Sequence, residues 1–156
     1  VAGNFGFSDL LTALLDLDAK VGLYGDGEVP IEEFLGAGSK GPKLVEKIIM
    51  ETGDVKGGYA SVRKSHTDFA VLNAAVVRRG GSWRVAVGAR PGSAQLSAEA
   101  AKRLGSEASP SEESARKAGE AAASELSFGG DLRGSADYRT QICGVIVKRA
   151  IMEVAE

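Results

Sequence analysis

Two apolar runs joined by a glycine pair constrain the fold of this 156-residue chain more than any other feature. Residues 69–77 and 83–89 are both rich in valine and alanine, and Gly80-Gly81 lies between them. Strand-like runs separated by a Gly-Gly pair predict an antiparallel β-hairpin. Tyr59 to Ser65 alternates and predicts a further strand, so the middle of the chain is expected to form an antiparallel meander.

The last third of the chain is rich in Ala, Ser, Glu and Lys and predicts three helices. The first covers residues 97–104, and the third begins at 135–137 and carries apolar residues at helical spacing. The second is predicted to start at Ser109 as its N-cap, with Pro110 as the first helical residue, and to run to about Leu126. Helices that follow a meander indicate an α+β fold, in which an antiparallel sheet has helices packed on one face.

The first third predicts smaller elements. Leucines on one side of a helical wheel follow Ser8, a plausible N-cap, and predict a helix that ends near Ala19. Lys20 to Tyr24 predicts a strand. Residues 43–51 fit a helix or a buried strand about equally, and their β-branched content favours the strand. A boundary between Gly53 and Gly58 is expected to divide the chain into residues 1–54 and 55–156.

Composition excludes several classes of protein. The net charge is −2 and the isoelectric point is near 5.6, so nucleic acid and anionic membranes are not expected as partners. No apolar run approaches the roughly 20 residues of a membrane span. The single cysteine rules out an internal disulfide and is compatible with a reducing cytoplasm, which is the expected location.

Catalytic and metal-binding patterns are weak in this sequence. His66 is the only histidine and lies in a polar segment, and Cys143 has no second cysteine to act with. A solvated strand end and a buried small residue are the favoured interpretations of these two, and no catalytic or metal-ligating residue is predicted. Basic residues gather around the hairpin, where a solvated sheet face is favoured over a binding surface: Arg63, Lys64, Arg78, Arg79, Arg84 and Arg90.

One turn near the start could bind a ligand. Val1-Ala2-Gly3-Asn4 precedes the helix that Ser8 caps, which places backbone N–H groups and small side chains near a helix N-terminus. Such a position suits an anionic or polar group of a ligand.

The order of several motifs resembles a known family. Residues 1–4, 8–21 and 29–34 are similar to the second half of the FAD-binding domain in molybdenum hydroxylase flavoproteins, the medium subunits of carbon monoxide dehydrogenase and xanthine dehydrogenase. Thr67-Asp68-Phe69-Ala70 with the residues up to Val76, and Asp131-Leu132-Arg133-Gly134 with those up to Arg139, resemble the C-terminal domain of the same subunit. The resemblance therefore makes residues 1–54 part of an FAD-binding subdomain.

This resemblance implies a cofactor, partners and site residues. FAD is the implied cofactor, and the subunit would pass electrons from iron-sulfur clusters through FAD to an acceptor. An iron-sulfur subunit and a molybdopterin subunit are the implied partners. Gly3 and Asn4 match the family's Gly-Gly-Asn turn near the flavin, Asp9 matches an acidic residue that contacts it, and Leu44 matches an apolar residue near the ring.

Departures from the family pattern leave a second hypothesis open. Ala2 replaces a glycine, Ala60 replaces a lysine near the ring, and the loop between Asn4 and Asp9 is short. The family's first glycine motif, which holds the pyrophosphate, does not occur in this sequence. The chain is therefore expected to resemble the C-terminal portion of such a subunit, with an incomplete flavin site and little activity alone. The alternative is a non-catalytic module for subunit interaction that has lost flavin binding.

Overall fold

A computed structural model describes residues 1–36 and 44–155 of the chain. Helix α1 covers Asp9–Asp16, and the Ser8 hydroxyl caps it by accepting a hydrogen bond from the backbone N–H of Leu11. The predicted start is confirmed. The helix ends earlier than expected because Asp18 adopts a left-handed conformation with a φ of 57°, which cannot continue an α-helix.

A small antiparallel sheet follows α1. Strand β1 (Lys20–Leu23) lies between β2 (Gly27–Pro30) and β3 (Val45–Ile49), and the short helix α2 (Ile31–Gly36) follows β2. The choice of a strand rather than a helix for residues 43–51 is confirmed over Val45–Ile49. The loop expected after α2 lies mostly outside the described residues.

A second, larger antiparallel sheet forms the centre of the protein. Its strands pair in the order β4 (Val55–Val62), β5 (Leu72–Arg79), β6 (Ser82–Gly88) and β7 (Gln95–Leu96). The predicted hairpin is confirmed, since β5 and β6 pair directly up to the turn. Strand β4 begins earlier than its alternating pattern suggested, because residues 55–58 pair with the far end of β5.

Three helices cover one face of the larger sheet, as the predicted fold class requires. They are α3 (Ala98–Leu104), α4 (Glu112–Glu125) and α5 (Ala136–Ala155). The prediction that Ser109 caps α4 is wrong: the helix begins at Glu112, and the Ser111 hydroxyl accepts the N–H of Ser114. Among the described residues no helix combines the length and apolar character needed to cross a membrane.

The opposite face of the larger sheet is covered by α1. Side chains of β5 and β6 on one face, including Val76 and Val85, join a core with α3, α4 and α5, whereas Ala86 joins a second core with Leu11 and Leu15 of α1. Strand β5 is consequently buried on both faces. The predicted boundary falls between β3 and β4, yet α1 packs across it, and the division at residue 54 stays a prediction.

The crossing of α4 and α5 depends on one glycine. A Cβ atom at Gly119 would lie 2.3 Å from the carbonyl oxygen of Gly144, a distance that real Cβ atoms do not reach. A Cβ atom at Gly144 would come no closer than 3.5 Å to Gly119, which is ordinary contact. Of these two facing glycines, Gly144 has room for a side-chain methyl group and Gly119 does not.

Alanine substitutions at this crossing should have opposite effects. Gly119→Ala is expected to lower the free energy of unfolding by about 1–3 kcal/mol, because the helices must separate. Gly144→Ala is expected to raise it by up to about 1 kcal/mol, since alanine favours the helical conformation. Urea unfolding followed by circular dichroism measures both, and equal losses for the two variants would contradict the model of the crossing.

Asp16, at the end of α1, is a buried carboxyl group that lacks a hydrogen-bond partner. The residue is fully buried, and neither carboxylate oxygen contacts a donor among the described residues. Burial raises the pKa of Asp16 well above its ordinary value, and the nearby charge of Arg84 opposes the shift without cancelling it. The folded state therefore holds a proton that the unfolded chain releases near its ordinary pKa.

Asp16→Asn is expected to stabilise the protein in a pH-dependent way. A raised pKa means that the stabilising protonated form is complete below the unfolded pKa and is lost as the pH rises toward the folded one. At pH 7–8 we expect the variant to be more stable than the unaltered chain by roughly 1–3 kcal/mol, with the difference shrinking toward pH 4. Asp18→Asn, at an exposed position, is the control and should change stability by less than about 0.5 kcal/mol. A difference that does not vary with pH would contradict this account.

Candidate functional site

The first predicted site residues form a tight turn. The backbone N–H of Asn4 donates to the carbonyl of Val1 at 2.9 Å, and Asn4 has a φ of 41°, a conformation that asparagine tolerates better than most residues. Its side-chain Nδ2 donates to the carbonyl of Leu35 at 3.3 Å. Its Oδ1 is buried and accepts no hydrogen bond within the described residues.

Gly3 fits closely against the aromatic side chain that follows it. A Cβ atom at this position would lie 2.4 Å from the ring of Phe5. The turn is thus held on one side by Leu35 of α2 and on the other by Phe5. The Phe5 ring is exposed and can move aside, so this contact alone does not require glycine at position 3.

Asp9, the first residue of α1, accepts three hydrogen bonds. Its Oδ1 accepts from the hydroxyl of Tyr59 at 2.6 Å and from Nδ2 of Asn73 at 2.8 Å. Its Oδ2 accepts from Nη2 of Arg63 at 2.6 Å. The carboxylate therefore joins α1 to β4, to β5 and to the residue just after β4.

A further hydrogen bond, between Thr12 and Asn73, is buried next to Asp9. The hydroxyl of Thr12 donates to Oδ1 of Asn73 at 2.8 Å, and both residues are fully buried. Gly88 leaves the space for this bond, because a Cβ atom there would lie 1.9 Å from the Thr12 hydroxyl oxygen. We call Asp9, Thr12, Tyr59, Arg63 and Asn73 the Asp9 network.

The network keeps Asp9 ionised. Burial by itself would raise the pKa of Asp9, but the hydrogen bonds from Tyr59, Arg63 and Asn73 and the charge of Arg63 outweigh it, and the pKa lies below its ordinary value. The pKa of Tyr59 is raised above its ordinary value, mainly by burial and then by the hydrogen bond to Asp9 and the charge of Asp9. At neutral pH the site thus presents a fixed carboxylate beside a neutral phenol.

Leu44 lies apart from this network. It sits just before β3 in the smaller sheet, where its carbonyl accepts the N–H of Tyr24 at 2.9 Å, and 67% of its surface is exposed. The structure gives it an accessible apolar side chain, while Asp9 is bonded to the larger sheet. Its role near a flavin ring stays a prediction.

Phe5 and Phe7 of the N-terminal loop form an aromatic group with Phe69. The ring of Phe7 is 5.3 Å from that of Phe5 and 4.3 Å from that of Phe69, measured between centroids. The guanidinium of Arg133 lies over Phe69 at 5.2 Å and over Phe7 at 5.8 Å. These cation–π contacts join the loop to the 131–134 turn before α5.

Arg139 holds that turn in place from within α5. It is fully buried and donates to the carboxylate of Asp131 at 2.6 Å and to the carbonyl of Val71 at 2.8 Å. The two C-terminal motifs that carried the family resemblance, 67–76 and 131–139, therefore meet at this side chain. Val71, Asp131 and Arg139 thus hold the two motifs together.

The exposure of the other residues considered in the sequence decides between their alternative interpretations. His66 is exposed in the segment after β4, and Cys143 is fully buried in α5, where burial raises the pKa of its thiol to about 12; both favoured interpretations are confirmed. Trp83 is buried and its indole N–H donates to the carbonyl of Glu107 at 2.9 Å. The expectation of a solvated basic face is wrong for Arg90, which is 6% exposed.

Sequence reasoning missed four members of the Asp9 network. Asn73 carried a signal, because it is a polar residue inside an otherwise apolar strand. Tyr59, Arg63 and Thr12 carried none that local patterns reveal, since they meet Asp9 or Asn73 only when distant segments pack together.

Comparisons with a family model and with curated proteins indicate the same family. Residues 58–154 match the family described as CO dehydrogenase flavoprotein C-terminal domain. The nicotine 6-hydroxylase medium subunit of Paenarthrobacter nicotinovorans is 37% identical over 102 residues, which are 62% of this chain and 35% of that subunit. The resemblance inferred from the motifs is confirmed.

Solved structures share the fold over nearly the whole chain. Quinoline 2-oxidoreductase from Pseudomonas putida 86 aligns with a TM-score of 0.84 at 21% identity, covering 99% of this chain and 58% of that one. Carbon monoxide dehydrogenase from Hydrogenophaga pseudoflava aligns with a TM-score of 0.82 at 24% identity, covering 98% and 58%. The predicted fold class is confirmed, and the chain spans little more than half of these structures and about a third of the curated relative.

Asp9→Asn should destabilise the protein above pH 4 and much less below it. A depressed pKa contributes stability above the unfolded pKa, and this is lost as the pH falls through the folded one. We expect a loss of roughly 1–2 kcal/mol at pH 7, discounted for partial exposure, that shrinks below about pH 4. Asp54→Asn, at an exposed position outside the network, is the control, and thermal unfolding at several pH values measures both. A loss at pH 3 as large as at pH 7 would contradict the role of the charge.

Proposed function

Because the chain belongs to the CO dehydrogenase flavoprotein C-terminal domain family, we propose that it is the C-terminal portion of an FAD-binding subunit of a molybdenum-hydroxylase-type oxidoreductase. When bound, FAD supplies the exchange of electrons between a donor and an acceptor. The contribution of this chain is to hold and orient that cofactor through the start of α1 and the turn before it.

The observation that carries the proposal is the unsatisfied oxygen of Asn4. A buried acceptor without a donor is costly, and a ligand N–H or O–H group would relieve that cost. Gly3 is exposed beside Asn4, so its backbone could reach the same ligand. The residues present therefore fit a polar cofactor at this turn.

Asp9 would act as a rigid acceptor at the start of α1, five residues after Asn4. Its three hydrogen bonds leave Oδ2 with one bond and spare lone pairs, so a further N–H or O–H can be accepted without rearrangement. The site requires no proton transfer from Asp9, whose depressed pKa keeps it ionised. Leu44 would supply an exposed apolar contact for a ring.

Electron transfer and partners follow from the proposed subunit role. We propose that electrons arrive from iron-sulfur clusters on one partner subunit, that substrate chemistry takes place on a molybdopterin subunit, and that the assembly is cytoplasmic. This chain is given no catalytic residue and no metal ligand. Within the described residues no three side chains of the kinds that ligate metals come together.

The alternative is an interaction module that no longer binds flavin. Exposed apolar residues at the cluster of Phe5, Phe7 and Phe69 favour it: Leu132 is 98% exposed, Phe5 61% and Phe69 49%. A surface of this kind suits contact with another protein. Copurification of an iron-sulfur subunit with a chain that fails to bind flavin would support this alternative.

Titration with flavin, followed by NMR, tests the proposal. With the 156-residue chain we expect weak binding, with a Kd above roughly 100 µM, and saturable shifts at the amides of Gly3, Asn4 and Asp9. Asn4→Ala and Asp9→Asn should each weaken binding several-fold, whereas the exposed control Glu107→Gln should not.

Two results would contradict parts of this account. Absence of shifts at the turn and at Asp9 in millimolar FAD would refute the proposed flavin contacts. Low-micromolar binding would instead refute the expectation that the site is incomplete in this chain. Comparing FMN with AMP separates contacts to the ring and ribityl chain from contacts to the adenosine, and we expect FMN alone to reproduce the shifts.

A further inference from the structure

A cleft of about 510 Å³ lies on the side of the larger sheet that α1 covers. It is lined by α2, by the end of α1 and by the segment that leads into β7, with Leu15, Leu35 and Leu96 as apolar walls. Its volume is in the range of small-molecule sites in proteins. Leu15 and Glu32 of this lining belong to motifs that carried the family resemblance, but Arg90 does not.

Arg90 is the buried charge in this lining. It is 6% exposed; its Nε donates to the carbonyl of Ser93 at 3.0 Å, and its Nη1 donates to the carbonyl and hydroxyl of Ser127. Its Nη2 donates to no atom of residues 1–36 or 44–155. No carboxylate of those residues forms an ion pair with Arg90, although Arg79 and Arg84, on strands of the larger sheet, each have one.

A buried guanidinium without a counter-ion is costly. Backbone carbonyls and a hydroxyl satisfy part of its hydrogen bonding, but they carry no net charge to offset its own. The cost shows in the pKa of Arg90, which burial lowers from its ordinary value. An anion that reaches the cleft would recover a charge-assisted hydrogen bond in a site where water competes poorly.

We propose that this cleft binds a small organic monocarboxylate, whose carboxylate accepts from Nη2 of Arg90 and whose apolar body packs on Leu15, Leu35 and Leu96. One available nitrogen suits a single carboxylate oxygen. The exposed carboxylate of Glu32 lines the same cleft and disfavours a dianion such as phosphate. This inference does not depend on flavin binding.

Titration of the full chain with benzoate tests the inference, with benzamide and inorganic phosphate as comparisons. Benzoate should shift the backbone amide signals of Ser93, Gln95 and Leu96 in a saturable way in ¹H–¹⁵N NMR spectra. Benzamide, which has the same shape without the charge, should bind at least about tenfold more weakly. Phosphate should produce no saturable shift at these amides.

Variants separate the charge from the shape of the cleft. Arg90→Gln should raise the Kd for benzoate about tenfold or more, and Glu32→Gln should lower it about two- to fivefold. If Arg90→Gln does not fold, the comparison of benzoate with benzamide on the unaltered chain still decides. Equal binding of these two probes, or no saturable shift up to about 20 mM benzoate, would overturn the inference. Phosphate binding as tight as benzoate binding would also overturn it.

Discussion

The contact of α1 with the larger sheet is the interaction on which the rest of the structure depends. It buries the second face of β5, and a strand buried on both faces must satisfy every polar group that it carries. Asn73 and Thr12 do so with each other, and Asp9 completes the set at the start of the helix. At the other end, Arg84 donates to the carbonyls of Leu15 and Asp16, so the helix is fixed at both termini.

The location of the proposed flavin contacts follows from that anchoring. Asn4 and Asp9 are five residues apart, and the loop between them is held by the Phe7 contact with Phe69 rather than by regular structure. Phe69 in turn lies under Arg133, which belongs to the turn that Arg139 organises from α5. The C-terminal helix thereby contributes to the position of the first residues of the chain.

Local sequence patterns were enough to predict most helices and strands, but not the contacts between distant residues. The hairpin and α1 were predictable because their turns and caps lie within a few residues. The Ser109 cap was wrong because Ser111, on the other side of Pro110, caps the helix by accepting the N–H of Ser114. Likewise, the burial of Arg90 depends on the carbonyl of Ser127, a distant residue that no local pattern associates with it.

The polar atoms that remain unsatisfied narrow the choice of a ligand site. Buried atoms without partners in the described residues belong to Asn4, Asp16, Arg78 and Arg133. Arg78 and Arg133 lie over aromatic rings, which offset part of the cost, and Asp16 is relieved by taking up a proton. Asn4 has neither remedy, because an amide oxygen does not titrate and its one contact engages Nδ2. Of these four groups, only the amide oxygen of Asn4 is relieved neither by a ring contact nor by a proton, and the proposed cofactor would supply its donor.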